Sequence, residues 1–318
     1  MKNILANERL ENSLNELYSF FKKHNIKKLE NCSKKELLNS KKLDLSSKGL
    51  KYIPKEIAIL KNLEILDICS NDIKEIPESI YELNNLKYID MSFNKIKHIS
   101  EKISNLKKLE EADISNNNFK EFPKEILKLK NLRKLNLSGY KFNSIPKEVF
   151  SLLKLEELNI SNNNISDIPK EIKNLKNLKE LYIDNNKLEN IPDYISKLSN
   201  LNILSLKNNN LKGNFDYIGY LTNLKEFYFT SHDYITIPNN IKNLKCLKKL
   251  YIKGKIYSIP DEMYCLENLE YLYFDNIEKL PKEIIKLKKL KLLSIDNKTI
   301  LPKNIKSSLC DVDIIKIS

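Results

Sequence analysis

Pro54, Pro77, Pro123, Pro146, Pro169, Pro192, Pro238 and Pro260 stand on or beside one 23-residue grid, whose points without proline are Ser100 and Phe215. Only Pro260 is off it, by one residue, and Pro281 and Pro302 each follow after 21. The same kind of string precedes each proline, as in Leu66-x-Ile68-x-x-Asn71-x-Ile73-x-x-Ile76-Pro77 and Leu181-x-Ile183-x-x-Asn186-x-Leu188-x-x-Ile191-Pro192. Self-similarity at a fixed period of roughly 20–50 residues marks a repeat architecture. A unit this short cannot bury enough apolar surface to offset the entropy lost in ordering it, so the units must stack.

Twelve repeats begin near residues 40, 63, 86, 109, 132, 155, 178, 201, 224, 247, 269 and 290. The alternating pairs Leu43/Leu45, Ile89/Met91, Leu158/Ile160 and Phe227/Phe229 read as short strands with one apolar face. Asn71, Asn94, Asn117, Asn163, Asn186 and Asn209 end such strands. Each amide carries donors and an acceptor that can satisfy peptide groups left unpaired at the corner, so these six are read as a structural ladder. Proline, with its fixed φ and no N–H, suits the first position of the next helical turn. The run from Pro169 to Leu178 then fits a short helical or 3-10 segment, its apolar residues spaced by three.

The expected fold is therefore α/β: a right-handed solenoid with parallel strands on a concave wall and helical or 3-10 turns on a convex back. Leu309-x-x-Val312-x-Ile314 keeps the strand spacing and predicts a thirteenth strand. Residues 1–39 fall outside the grid, and Leu10, Leu14, Leu17 and Phe21 line one face of a helix. They predict an N-terminal helical cap over residues 1–39, followed by the repeat domain over residues 40–318.

The formal charge of +13 raises the question of nucleic acid, but Arg9 and Arg133 are the only arginines. Arginine is the usual residue for bidentate phosphate and base contacts, so the composition argues against that partner. Charge is also unevenly placed. The solvent-facing strand positions hold eleven acids (Asp44, Asp67, Asp90, Glu111, Asp113, Glu157, Glu180, Asp184, Glu226, Asp275 and Asp296) against Lys42, Lys134, Lys207, Lys249 and Lys253, which leaves −6 there and +19 elsewhere.

The opening residues Met1 to Arg9 break their apolar run too early for a secretory signal, and no stretch has the apolar length of a membrane span. Cys32, Cys69, Cys246, Cys265 and Cys310 are odd in number and lack paired spacing, which predicts free thiols, a reducing compartment and a cytoplasmic protein. Export by a route that reads no cleavable signal stays open.

By its period and its L-x-x-L-x-L-x-x-N-x-L-x-x-I-P-x-x-I-x-x-L pattern over residues 40–314, the chain resembles the 23-residue leucine-rich repeat proteins. These include the Ras-suppressor and Shoc-type scaffolds, the scribble-like polarity proteins and many bacterial repeat proteins. The resemblance implies a leucine-rich repeat horseshoe and a non-enzymatic protein-binding scaffold that uses its concave face. Tyr140, His232 and Lys255 at asparagine positions depart from the pattern, as do the shortened repeats after residue 238. They predict irregularity toward the C-terminal end.

His24, His98 and His232 have no metal-ligand spacing, and the five glycines form no phosphate-cradling loop. No catalytic set, metal, cofactor or small-molecule substrate is expected. One column stands out instead. Between the two strand leucines the chain reads Asp44, Asp67, Asp90, Asp113, Asn136, Asn159, Tyr182, Ser205, Tyr228, Tyr251, Tyr273 and Ser294, with Tyr271 adding a further ring. Exposed tyrosine is a common binding hot spot, although cross-strand packing also favours it. The expected site is thus Asp67, Asp90, Asp113, Tyr182, Tyr228, Tyr251, Tyr271 and Tyr273, on a monomer that binds another protein. The competing reading is an adhesive or anionic-surface protein that uses its lysine-rich convex side on membrane or nucleic acid.

Overall fold

The computed structural model describes residues 2–213, 215–303 and 305–317. Two compact units make up the chain, Met1–Tyr140 and Lys141–Ser318.

The first unit opens with helices α1 (Lys2–Lys23), α2 (Lys27–Glu30) and α3 (Lys34–Leu38). Leu14, Leu17 and Phe21 of α1 are buried, as the helical spacing requires. Ser33 and Glu36 close a capping box at the start of α3: Ser33 Oγ accepts from the Glu36 N–H, and Glu36 Oε2 accepts from the Ser33 N–H. Strands β1 (Lys42–Asp44), β2 (Ile65–Asp67), β3 (Tyr88–Asp90), β4 (Glu111–Asp113) and β5 (Lys134–Asn136) then pair in parallel, each with the next. The pairing repeats at a constant register, so Leu43, Leu66, Ile89, Ala112 and Leu135 form one buried row.

The second unit carries β6 (Glu157–Asn159), β7 (Glu180–Tyr182), β8 (Ile203–Leu206), β9 (Glu226–Thr236), β10 (Lys249–Ser258), β11 (Tyr271–Phe274), β12 (Leu292–Asp296) and β13 (Asp313–Ile317), again parallel and in chain order. The expected thirteenth strand is thus present among the described residues. Ile314 lies opposite Leu293, while Leu309 and Val312 precede the strand, after helix α4 (Ile305–Ser308).

Every regular repeat closes with a five-residue 3-10 turn, such as Lys55–Ile59 in the first unit and Lys170–Asn174 in the second. The preceding proline takes the cap position, one residue earlier than its lack of an N–H suggests. Pro54 has φ −68 and ψ 142, outside the helical region, and its carbonyl accepts the first turn bond from Ile57. At Ser100 the side chain takes over, accepting from the Lys102 N–H at 3.3 Å. At Phe215 the ring is spent on the core, packing on Phe227 and Phe229 at 5.5 and 4.9 Å.

The expected irregularity has a specific form. In regular repeats the residue before the corner asparagine adopts a left-handed conformation, as at Ser70 (φ 54) and Asn185 (φ 54). His232 and Lys255 replace that asparagine, and Ser231 lacks the left-handed turn, so the chain stays extended. β9 and β10 run to 11 and 10 residues and pair a second time, Lys255 opposite Tyr234 and Ile256 opposite Ile235.

Candidate functional site

The corner asparagines occupy both donors and the acceptor. Asn71 Oδ1 accepts from the Lys48 and Leu50 N–H groups at 3.0 and 2.9 Å, and its Nδ2 donates to the Leu45, Ile68 and Cys69 carbonyls. Asn94 and Asn117 repeat the pattern in the first unit through the Ile73 and Ile96 N–H groups. In the second unit Asn163, Asn186 and Asn209 do the same for Phe142, Ile165 and Leu188.

A second asparagine ladder runs behind the strands. Nδ2 of Asn62, Asn85 and Asn131 donates to the Leu38, Lys61 and Lys107 carbonyls in the first unit. Asn177, Asn200 and Asn223 reach Leu153, Lys176 and Ser199 in the second. The sequence signal of this ladder is the Asn-Leu pair ahead of β2, β3, β5, β7, β8 and β9, whose asparagine lies outside the repeat pattern.

On the strand face of the first unit, register sets Asp44, Asp67, Asp90 and Asp113 side by side. Each uses one carboxylate oxygen to accept the N–H two residues on: Ser46 at 3.0 Å, Cys69 at 3.0 Å, Ser92 at 2.8 Å and Ser115 at 2.9 Å. Asn136 makes the same bond to Ser138 at 3.0 Å without a charge. The bond therefore does not need an anion. Burial, then the neighbouring Asp113 and Asp67, pushes Asp90 above the ordinary carboxylate range, against the pull of its Ser92 bonds. Bonds from Ser46 hold Asp44 below it.

Asp67, Cys69 and Asp90 lie with potential ligand atoms within 4.8 Å of one another. The Cys69 thiol is pushed up to about 11, chiefly by burial and then by Asp67 and Asp90. At neutral pH burial thus favours the thiol over the thiolate.

On the strand face of the second unit the register aligns Asn159, Tyr182, Ser205, Tyr228, Tyr251, Tyr273 and Ser294. Three of the tyrosines are brought together. Tyr251 and Tyr273 stack at 4.1 Å with planes 13° apart, and Tyr228 lies 6.2 Å from Tyr251. Tyr182 stands apart, two strands from Tyr228, and donates to Glu180 Oε2 at 2.7 Å. Tyr228 donates likewise to Glu226 at 2.6 Å. Burial and then these glutamates raise both phenols well above their ordinary range. The column rings are half-buried, and Tyr271, two residues before Tyr273 on the same face, is 38 % exposed.

Four of the five face lysines are already engaged. Lys207 pairs with Asp184 at 3.7 Å, Lys249 with Glu226 at 2.8 Å and Lys253 with Asp275 at 3.9 Å. In the first unit Lys134 pairs with Glu111 at 3.5 Å.

A family model described as "Leucine-rich repeat region" matches residues 14–143, 141–253 and 207–315. The chain belongs to the leucine-rich repeat family. Its strands, turns and asparagine corners are that family's solenoid elements, a fold that generally serves as a protein-protein interaction module. No curated protein matches by sequence. Among solved structures, a leucine-rich repeat protein of Leptospira interrogans is similar at 26 % identity, over 88 % of this chain and 97 % of that one, with a TM-score of 0.57. An internalin, InlF, of Listeria monocytogenes aligns at 21 % identity over 90 % of this chain and 89 % of that one, with a TM-score of 0.73; at that identity it shows the fold alone. The plant peptide hormone receptor RGFR1, solved in complex with RGF2, aligns at 26 % identity over 87 % of this chain and 51 % of its own, with a TM-score of 0.64. Among the described residues no helix is long and apolar enough to cross a membrane.

Proposed function

We propose that this leucine-rich repeat chain is a non-enzymatic scaffold that holds a protein partner on its strand face. The observation that carries the reading is the Tyr228–Tyr251–Tyr273 cluster. Tyrosine offers a large, stiff, amphipathic contact area, and such residues concentrate binding energy. In the second unit Tyr182, Tyr228, Tyr251, Tyr271 and Tyr273 are the anchors. In the first, Asp67, Asp90 and Asp113 receive basic groups of a partner, since their bond to the N–H two residues on does not need a charge.

The competing surface, the lysine-rich side away from the strands, is less available than its charge implies. Lys61 pairs with Glu82, Lys87 with Glu64, Lys102 with Glu78, Lys179 with Glu156 and Lys248 with Glu270. Each places a cation beside an acid of a neighbouring repeat. We also assign the repeats to the 23-residue class that ends in Ile-Pro, and the protein, as a monomer, to a reducing compartment, which its five free cysteines fit.

The test is affinity capture from the source cell, with a Tyr228→Ala/Tyr251→Ala/Tyr273→Ala variant as control and crosslinks mapped on the captured partner. Loss of the partner with the variant, and crosslinks on the strand face, support the reading. Undiminished capture, or crosslinks confined to the lysines away from the strands, refutes it.

A further inference from the structure

Two of the three strand-face lysines of the second unit, Lys207 and Lys249, are held in the same way, while the third, Lys253, pairs with Asp275 at 3.9 Å and, among the described residues, lies over no ring. Lys207 sits between the Asp184 carboxylate, at 3.7 Å, and the Tyr228 ring, 4.8 Å from its centroid. Lys249 sits between Glu226, at 2.8 Å, and the Tyr271 ring, at 5.8 Å. Each cation thus has an anion on one side and an aromatic face on the other, both of them favourable contacts. The stacked pair Tyr251–Tyr273 is built differently. Among the described residues no cation lies over either ring. Asp296, two residues beyond Ser294 in the strand beside Tyr273, makes no ion pair there. Among the described residues its carboxylate takes one hydrogen bond, from the Lys298 N–H at 2.7 Å to Oδ1, and Oδ2 is left open. The face is also short of cations, with Glu157, Glu180, Asp184, Glu226, Asp275 and Asp296 set against Lys207, Lys249 and Lys253.

We propose that the Tyr251–Tyr273 pair and Asp296 form a subsite for an arginine side chain carried by an extended segment of the protein partner. This rests on the strand-face reading above and adds the chemistry of the anchor. A guanidinium is planar, so it continues the parallel stack of the two rings, and its edge donors reach a carboxylate. An ammonium offers no such plane. The partner's cation completes the pattern that Lys207 and Lys249 complete from within.

The test uses the whole chain and three fluorescein-labelled dodecapeptides, in which alanine alternates with arginine, lysine or citrulline. At physiological salt the arginine peptide binds at least tenfold tighter than the citrulline peptide and several-fold tighter than the lysine peptide. Asp296→Asn, which keeps an acceptor for the Lys298 N–H, weakens the arginine peptide at least threefold. Tyr251→Phe/Tyr273→Phe retains binding, because the rings and not the hydroxyls are used. Tyr251→Leu/Tyr273→Leu loses the arginine preference; circular dichroism checks its fold, and Asp296→Asn decides alone if it does not fold. Equal binding of the arginine and citrulline peptides, or a preference that survives both Asp296→Asn and the leucine variant, overturns the subsite. If the preference is absent but the triple alanine variant still loses its captured partner, only the arginine falls. If that variant also keeps the partner, the docking face falls with it.

Discussion

Asn94 serves two repeats at once: its Oδ1 accepts the Ile73 N–H at 3.0 Å while its Nδ2 donates to the Ile68 carbonyl at 2.9 Å, both in the preceding repeat. The side chain is 6 % exposed, so alanine leaves peptide groups buried without partners. Asn94→Ala is expected to cost about 1–3 kcal/mol. Asn117→Ala, whose side chain bonds the Ile96 N–H and the Met91 carbonyl, falls in the same range. Chemical denaturation measures both, and unchanged midpoints contradict the ladder's structural role.

Phe93 has φ 51 and is 58 % exposed, although the equivalent corner residues Asn116, Asn162, Asn185 and Asn208 suit a left-handed backbone. A bulky residue there is strained by roughly 1 kcal/mol relative to asparagine. Phe93→Asn should therefore raise the stability of the chain by about that much. A lower melting temperature for this variant shows that the ring supports the fold after all.

Asp90 titrates above its ordinary range in the fold, because burial and its aspartate neighbours disfavour the charge. A folded pKa above the unfolded value means that the group's stabilising contribution is present below the unfolded pKa and is lost as pH rises through the folded one. Asp90→Asn should then stabilise the protein at neutral pH, with the difference fading below pH 3.8, the ordinary aspartate value. Glu64 runs the opposite way. Hydrogen bonds from Lys87 and Lys41 lower it from 4.5 to about 2, so its contribution holds above pH 4.5 and drains between there and about 2. Unfolding followed across pH for wild type, Asp90→Asn and Glu64→Gln resolves both signs.

Truncating Tyr251 and Tyr273 together should weaken partner binding by more than about 2 kcal/mol. Reversing Asp90 and Asp113 to lysine should mainly slow association and change its salt dependence. Surface plasmon resonance with the captured partner separates the two. Wild-type kinetics in both variants exclude the strand face.

The twelve repeat strands were legible because the 23-residue period and its shortened continuation place each alternating apolar pair, and the first residues of β1 to β10 fall on that period. The extent of β9 and β10 was not, since loss of an asparagine tells only that a corner is missing. Whether the chain then turns otherwise or stays extended depends on pairing with its neighbour, as Ile235 does with Ile256. The column of site residues could be read off, yet the engagement of its charges could not. That Lys207 folds over Tyr228 is a matter of rotamers, which spacing does not specify. Nor does spacing show that Asp44, Asp67, Asp90 and Asp113 each accept from the N–H two residues on, that of Ser46, Cys69, Ser92 and Ser115.

Both asparagine ladders point backward along the chain. Asn71 closes the corner that begins at Leu45, and Asn85 holds the carbonyl of Lys61. A corner is complete only when the residue 21 to 26 positions later has arrived, as with Leu50 and Leu45 on Asn71. On the ribosome, a nascent repeat thus waits for its successor to emerge from the exit tunnel before its own peptide groups are satisfied. Synthesis itself becomes directional in its folding, with one unfinished repeat always trailing at the growing end and the finished ones locked behind it.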